Sequence, residues 1–122
     1  MITLELPYPP SVNHYWRHVG RKVLVSREGR AYRNAVAAIL AAGRMRPFLG
    51  RLELLIDVYP PDHRRRDLDN AMKSLLDSMM HGGIYDDDSQ IDKLTIVRRR
   101  VVPGGKAIVS LKEYADGDVR FD

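Results

Sequence analysis

The chain has 122 residues, 44% of them hydrophobic and 30% charged, with a formal net charge of +4. That length bounds it to one domain able to bury about two-thirds of its unfolded surface, and the balance argues against disorder. With no cysteine, disulfides, thiolate nucleophiles and cysteine-held zinc or iron–sulfur sites are excluded.

Residues 2–6 alternate like a strand, and Pro7, Pro9 and Pro10 end it. This start lacks the basic residues and apolar stretch of a secretory signal, and no apolar run nears the roughly 18 residues of a membrane span. A cytoplasmic protein is expected. Residues 11–18 show no period and read as a loop, and Lys22–Val25 reads as a short strand. Ser26 is a natural N-cap for a helix over 27–42, with Tyr32, Val36, Ile39 and Leu40 on one face and Gly43 closing it. Residues 51–59 alternate with Leu52, Leu54, Ile56 and Val58 inward and Glu53 and Asp57 outward, until Pro60-Pro61 stops them. A second helix is expected over 68–80, with Leu68, Met72, Leu75, Leu76 and Met79 as its buried stripe and His81-Gly82-Gly83 at its end. Residues 84–91 form an acidic loop. Strands over 92–102 and 107–112, joined by Pro103-Gly104-Gly105-Lys106, read as a hairpin, and the polar tail from Ala115 is expected to fray. The order of elements implies one α+β domain with a mixed sheet, two main helices and a C-terminal hairpin.

Charge is unevenly spread along this order. Residues 1–66 carry twelve Lys and Arg against five Asp and Glu, whereas residues 67–97 carry two against seven. Arg outnumbers Lys 15 to 5, and Asp outnumbers Glu 12 to 4. Arg forks suit phosphate, and Asp is a short, hard oxygen ligand. A polyanion partner with a metal at the acidic island explains the pattern, and so does a merely soluble basic protein.

The segment Arg64-Arg65-Arg66-Asp67-Leu68-Asp69-Asn70-Ala71-Met72-Lys73 concentrates the candidates. A phosphate-bound divalent metal wants one or two carboxylates, and Asp67 and Asp69 at a helix start supply them. Taken as a pair they are more simply helix caps. Lys73 follows Asp69 by four residues on the same helix face, as an ion pair or as a cation for developing charge. The three Arg crowd the acids, as a phosphate backbone beside a metal requires. Asp86-Asp87-Asp88 lies beyond the helix and joins this site only if its loop folds back; alone it is a solvated turn. The spacing excludes EF-hand loops, phosphate-binding glycine loops, nucleophile elbows and His-Glu-x-x-His zinc sites.

At these residues the chain resembles the RusA family of Holliday-junction resolvases over about residues 3–112. The matching pieces are Pro9-Pro10-Ser11-Val12-Asn13 with Tyr15 and Arg17, Val25-Ser26 through Tyr32-Arg33, and Pro61-Asp62-His63-Arg64-Arg65-Arg66-Asp67-Leu68-Asp69-Asn70. Lys73, Asp77 and Asp87-Asp88-Ser89-Gln90 complete them. The resemblance implies a dimeric Mg²⁺-dependent endonuclease acting on branched DNA, without a small-molecule cofactor. It implies metal-binding acids at Asp67, Asp69 and Asp88, with Asp87 the neighbour to be distinguished, and Lys73 as the essential base. Asn13, Tyr15, Arg17, Arg64, Arg65, Arg66, Arg98 and Arg100 are then the expected DNA contacts. Tyr15 and Trp16 either stack on exposed bases or anchor a loop. The Met-rich face of the second helix (Met72, Met79, Met80) and the first strand are candidate dimer contacts. A different class of reading is a non-catalytic, basic DNA-binding dimer whose acids are caps and turns.

Overall fold

Alternation in residues 52–59 places four aliphatic side chains on one face of a strand, and that face organises the computed structural model, which describes residues 1–114. The tail from Ala115 lies outside the described residues. In chain order the elements are β1 (Ile2–Leu6), α1 (Val12–Tyr15), β2 (Trp16–Val19), β3 (Lys22–Val25), α2 (Arg27–Ala42) and β4 (Leu52–Tyr59). A 3₁₀ turn (Leu68–Ala71), α3 (Met72–His81), a second 3₁₀ turn (Asp88–Gln90), β5 (Ile91–Arg98) and β6 (Lys106–Glu113) follow. The main sheet has the order β1-β6-β4-β5, with β4 parallel to β5 and antiparallel to β6, so it is mixed. Its inner face carries Leu4, Leu6, Leu52, Leu54, Ile56, Val58, Ala107, Val109 and Leu111. Tyr32, Val36 and Leu40 of α2, and Met72, Leu75 and Met79 of α3, join that core, each large side chain contributing about 1.5–3 kcal/mol by burial. Outside, Glu53 is flanked by Lys93 and Lys112 at 3.5 Å each, and Asp57 meets Arg99 at 2.8 Å.

The α2 helix runs as its periodicity predicts, and the Ser26 hydroxyl accepts from Gly29 N–H at 2.9 Å. The C-terminal hairpin is a correction. β5 and β6 do not pair, because both pair with β4, one on each side. Strands two places apart are about 10 Å apart, too far for a two-residue turn. The chain instead crosses the end of β4, where Arg99 N–H donates to Val58 O at 2.8 Å and Val102 N–H to Pro60 O at 2.9 Å. Gly104 and Gly105, at φ 80° and 68°, turn it back.

Residues 11–18 are also corrected. They form α1 and then β2, which pairs with β3 in a hairpin around Gly20 (φ 60°) and Arg21. Nearly every side chain of this hairpin is solvent-facing, so burial never imposed an alternating pattern. The helix expected over 68–80 begins with a 3₁₀ turn, and its α-helical part starts only at Met72. Asp and Asn in that first turn compete with helical backbone bonding. Finally, Met72 and Met79 are 5% and 0% exposed, packed in the core and unavailable as dimer contacts.

Candidate nucleic-acid interface and acidic site

Past the end of β4, the chain is folded by Asp62. Its carboxylate accepts from Arg64 N–H at 2.9 Å and from Arg66 Nη1 at 2.7 Å, which holds its pKa down to about 2, the Arg66 bond contributing most. Arg66 also stands 5.8 Å from the centre of the Tyr8 ring, and Arg98 Nη2 donates to Arg66 O at 2.6 Å. That last bond brings the two arginine runs together. Arg64–Arg66 and Arg98–Arg100 line one cleft of about 370 Å³, with Asp67 on its wall. Asp67 and the first run also border a second cleft, of about 520 Å³, against Pro9, Pro10, Ser11 and Asn70.

Asp67 and Asp69 sit at the 3₁₀ turn that opens onto α3. Both are exposed, and neither carboxylate makes an ion pair or hydrogen bond among the described residues. The capping role is therefore unfilled: Asp67 holds the N-cap place without a side-chain bond. Lys73, one turn later, is exposed and likewise forms no ion pair among the described residues, so the Asp69–Lys73 helical pair is not made. It faces a cleft of about 450 Å³ together with Val12, Asn13, Trp16, His18 and Val23.

The acidic loop does fold back on α3. Asp87 caps the second 3₁₀ turn, its Oδ1 accepting from Ser89 N–H at 2.8 Å while Gln90 Oε1 accepts from Asp86 and Asp87 N–H at 2.9 and 3.1 Å. That bond lowers the Asp87 pKa. Asp88 is raised, first by partial desolvation and then by the neighbouring Asp87 and Asp77 carboxylates, with Lys73 opposing. Thus Asp87 is committed to its turn, and Asp88 lies within the electrostatic reach of Lys73. Among the described residues, no three Asp, Glu or His side chains converge closely enough to hold a metal. Asp88 feels the charges of Asp77 and Lys73, Asp67 and Asp69 stand at the turn before α3, and the three acids do not close into one cluster among the described residues.

Tyr15 is a correction to the expected DNA surface. It is 0% exposed, and its hydroxyl donates to Asp77 and accepts from Arg33 Nε at 2.7 Å and Ser78 Oγ at 3.3 Å. Arg33 Nη2 in turn donates to Asp77 Oδ2 at 2.7 Å. Burial is the largest influence on Tyr15, raising its pKa, followed by the Asp77 bond. This network ties α1, α2 and α3 together, its Asp77 one turn after Lys73 on α3. No spacing in the sequence announces it, since its partners are 18, 44 and 62 residues apart. Asn13, Arg17, Arg64, Arg65, Arg98 and Arg100 are exposed, and Arg66 is half-buried.

Among the described residues, Asp67 and Asp69 are exposed carboxylates without cationic partners, Asp67 in a cleft lined by six arginines, which is the chemistry of a protein that handles a polyanion. The donor chemistry suits a hard divalent cation, which needs only one or two carboxylates when phosphate supplies the rest. The sequence profile of the endodeoxyribonuclease RusA family matches residues 7–112. A crossover junction endodeoxyribonuclease of Enterobacteria phage HK97 is 42% identical over 109 residues, 88% of this chain and 91% of that protein. The RusA crossover junction endodeoxyribonuclease of Escherichia coli K12 is 37% identical over 115 residues, 93% and 96% of the two chains. That of Enterobacteria phage 82 is 36% identical over 114 residues, 93% and 95%. The chain belongs to the RusA family of endodeoxyribonucleases.

Proposed function

We propose that this chain is a metal-dependent endodeoxyribonuclease that resolves four-way (Holliday) DNA junctions by paired symmetric nicks, in recombination and repair, with residues 1–122 as one endonuclease domain. One observation supports the site reading: Asp67 lies exposed in a cleft lined by six arginines, with Asp69 exposed two residues on, and neither carboxylate has a partner among the described residues. For a protein that only bound DNA, such carboxylates would repel the phosphates it has to hold. A bound cation reverses that sign.

In this reading Asp67, Asp69 and Asp88 would hold Mg²⁺ together with phosphate oxygens of the substrate, since the acids do not form a closed cluster among the described residues. The ion, when bound, polarises the scissile phosphate and lowers the pKa of an attacking water. Lys73 stabilises the charge that develops on the phosphate and orients the water. Arg64–Arg66 and Arg98–Arg100 hold flanking phosphates, which gives affinity without sequence information. Asn13, beside Lys73 in one cleft, and Arg17 contact DNA. Two strands must be cut symmetrically and each chain has one acidic site, so the working form is a two-fold dimer. The outer edge of β1 remains available for that contact.

A labelled four-way junction tests this directly. Paired nicks that appear only with Mg²⁺ support the assignment. A gel shift without cutting in Mg²⁺ overturns it in favour of a non-catalytic DNA-binding dimer.

A further inference from the structure

The cleft in front of Lys73 has a composition that phosphate binding does not require. Lys73 contributes its cationic wall, Trp16 an aromatic plane, Asn13 and His18 hydrogen-bonding edges, and Val12 and Val23 apolar floor. Its volume of about 450 Å³ falls within the roughly 300–1,000 Å³ usual for pockets that enclose small planar ligands. The β2–β3 hairpin that forms one side has no acid between residues 16 and 25, and its Arg17 and Lys22 alternate to the face away from Trp16, His18 and Val23. An aromatic and apolar surface beside a single lysine is the chemistry that takes a nucleobase still attached to its phosphate.

The slot is also rigidly built. Trp16 packs edge-on against Tyr15, with ring centroids 5.0 Å apart at 85°. Tyr15 itself is fixed by Asp77, Arg33 and Ser78, and its carbonyl accepts from Ser26 N–H at 2.8 Å. Gly29 of α2 lies so close that a Cβ there would stand 2.5 Å from Tyr15 O. A stacking surface held this way gives up little freedom when a base arrives. Tyr15 cannot stack on DNA because it is buried; the half-buried Trp16 can.

We infer that the Trp16–Lys73 cleft receives one nucleobase unstacked at the branch point, next to the phosphate that Lys73 engages, and so helps to choose the cleavage position. This rests on the junction-cutting function proposed above. A base inside an intact duplex stays stacked and cannot enter, whereas one at a branch point has already lost part of its stacking.

Trp16 is the one tryptophan in the chain, so its emission reports on the cleft alone. The protein, with EDTA present so that nothing is cut, is titrated with a four-way junction and with linear duplex of the same arm sequences. Binding is followed by gel shift in parallel. The expected result is quenching of Trp16 by the junction and little change with bound duplex. Trp16→Phe should keep the cleavage pattern, and Trp16→Ala should weaken junction binding roughly tenfold and broaden the choice of cleavage positions under Mg²⁺. Should Trp16→Ala fail to fold, the emission of the parent protein decides. A junction bound without any change in emission overturns the base pocket and leaves the nuclease assignment standing. Equal quenching by duplex, or an emission change that follows protein concentration without DNA, also overturns it, the latter giving the cleft to a second copy of the chain. Failure to bind junctions at all removes both.

Discussion

Asp62 works against the proposed DNA-binding role of the arginines beside it. Its carboxylate occupies Arg66 at 2.7 Å and stands 3.8 Å from Arg64 Nε. Asp62→Ala releases both guanidinium groups and removes one negative charge, so junction binding should tighten and the dependence of log Kd on log salt should steepen by about one ion. Gel shifts at several salt concentrations check this; unchanged affinity and slope would mean that these arginines do not meet phosphate. Gly29 illustrates the opposite kind of residue, one that matters by having no side chain. A Cβ there meets Tyr15 O at 2.5 Å and Val25 Cγ1 at 2.7 Å. Overpacking of that kind costs about 1–3 kcal/mol, so Gly29→Ala should lower the melting temperature by several degrees. At this scale the sequence was most legible where chemistry is local. Asp67, Asp69 and Lys73 stand out because their charges cluster within seven residues of chain. Gly29 did not, and Tyr15 left two readings open, base stacking or a buried anchor, because the partners of both come from other elements.

Elements with one buried face announced themselves, and elements without one did not. Burial forces a period on α2, α3 and β4, and all three lie close to where their periodicity puts them. The β2–β3 hairpin, exposed on both faces, carries no such period. The β5–β6 error has another source: a Pro-Gly-Gly-Lys turn has the same local signature whether the strands it joins are neighbours or are separated by a third. Only the pairing of both with β4 distinguishes the cases. The joint between α1, α2 and α3 makes a testable element. Arg33 is only 20% exposed at its side chain, and the Asp77 carboxylate is its ion-pair partner at 2.7 Å. Asp77→Asn keeps the shape and loses the charge, which should cost about 2 kcal/mol in thermal or urea unfolding. Cleavage should fall in the same variant even under conditions where it remains folded, since Trp16 and Lys73 lose their common support. An Asp77→Asn protein of parental stability and activity would reduce this network to incidental contacts.

The whole molecule is a basic body with an acidic centre, and its proposed activity requires two such centres. One chain supplies one set of Asp67, Asp69, Lys73 and Asp88. Sedimentation at micromolar concentration should therefore show a two-chain species, and a monomer that still makes paired nicks would contradict the two-site scheme. With Met72 and Met79 committed to the core, the contact has to come from sheet edges or exposed surface. The helix stripe of Leu68, Met72, Leu75 and Met79 looked the same in sequence whether it faced a sheet of its own chain or a partner. No described helix is long and apolar enough to cross a membrane.

The most direct measurement is junction cleavage and junction binding by Asp69→Asn, side by side with Asp67→Asn, Asp88→Asn and Lys73→Ala. Neither the Asp67 nor the Asp69 carboxylate makes a hydrogen bond or ion pair among the described residues, so the melting temperature should barely move on their substitution. Each Asn variant should bind a four-way junction at least as tightly as the parent, because a negative charge beside the arginines has gone. Cleavage in Mg²⁺ should fall by orders of magnitude in all four variants, with only a modest loss of affinity in Lys73→Ala. Near-parental cutting by a folded Asp69→Asn protein would contradict the metal-site assignment.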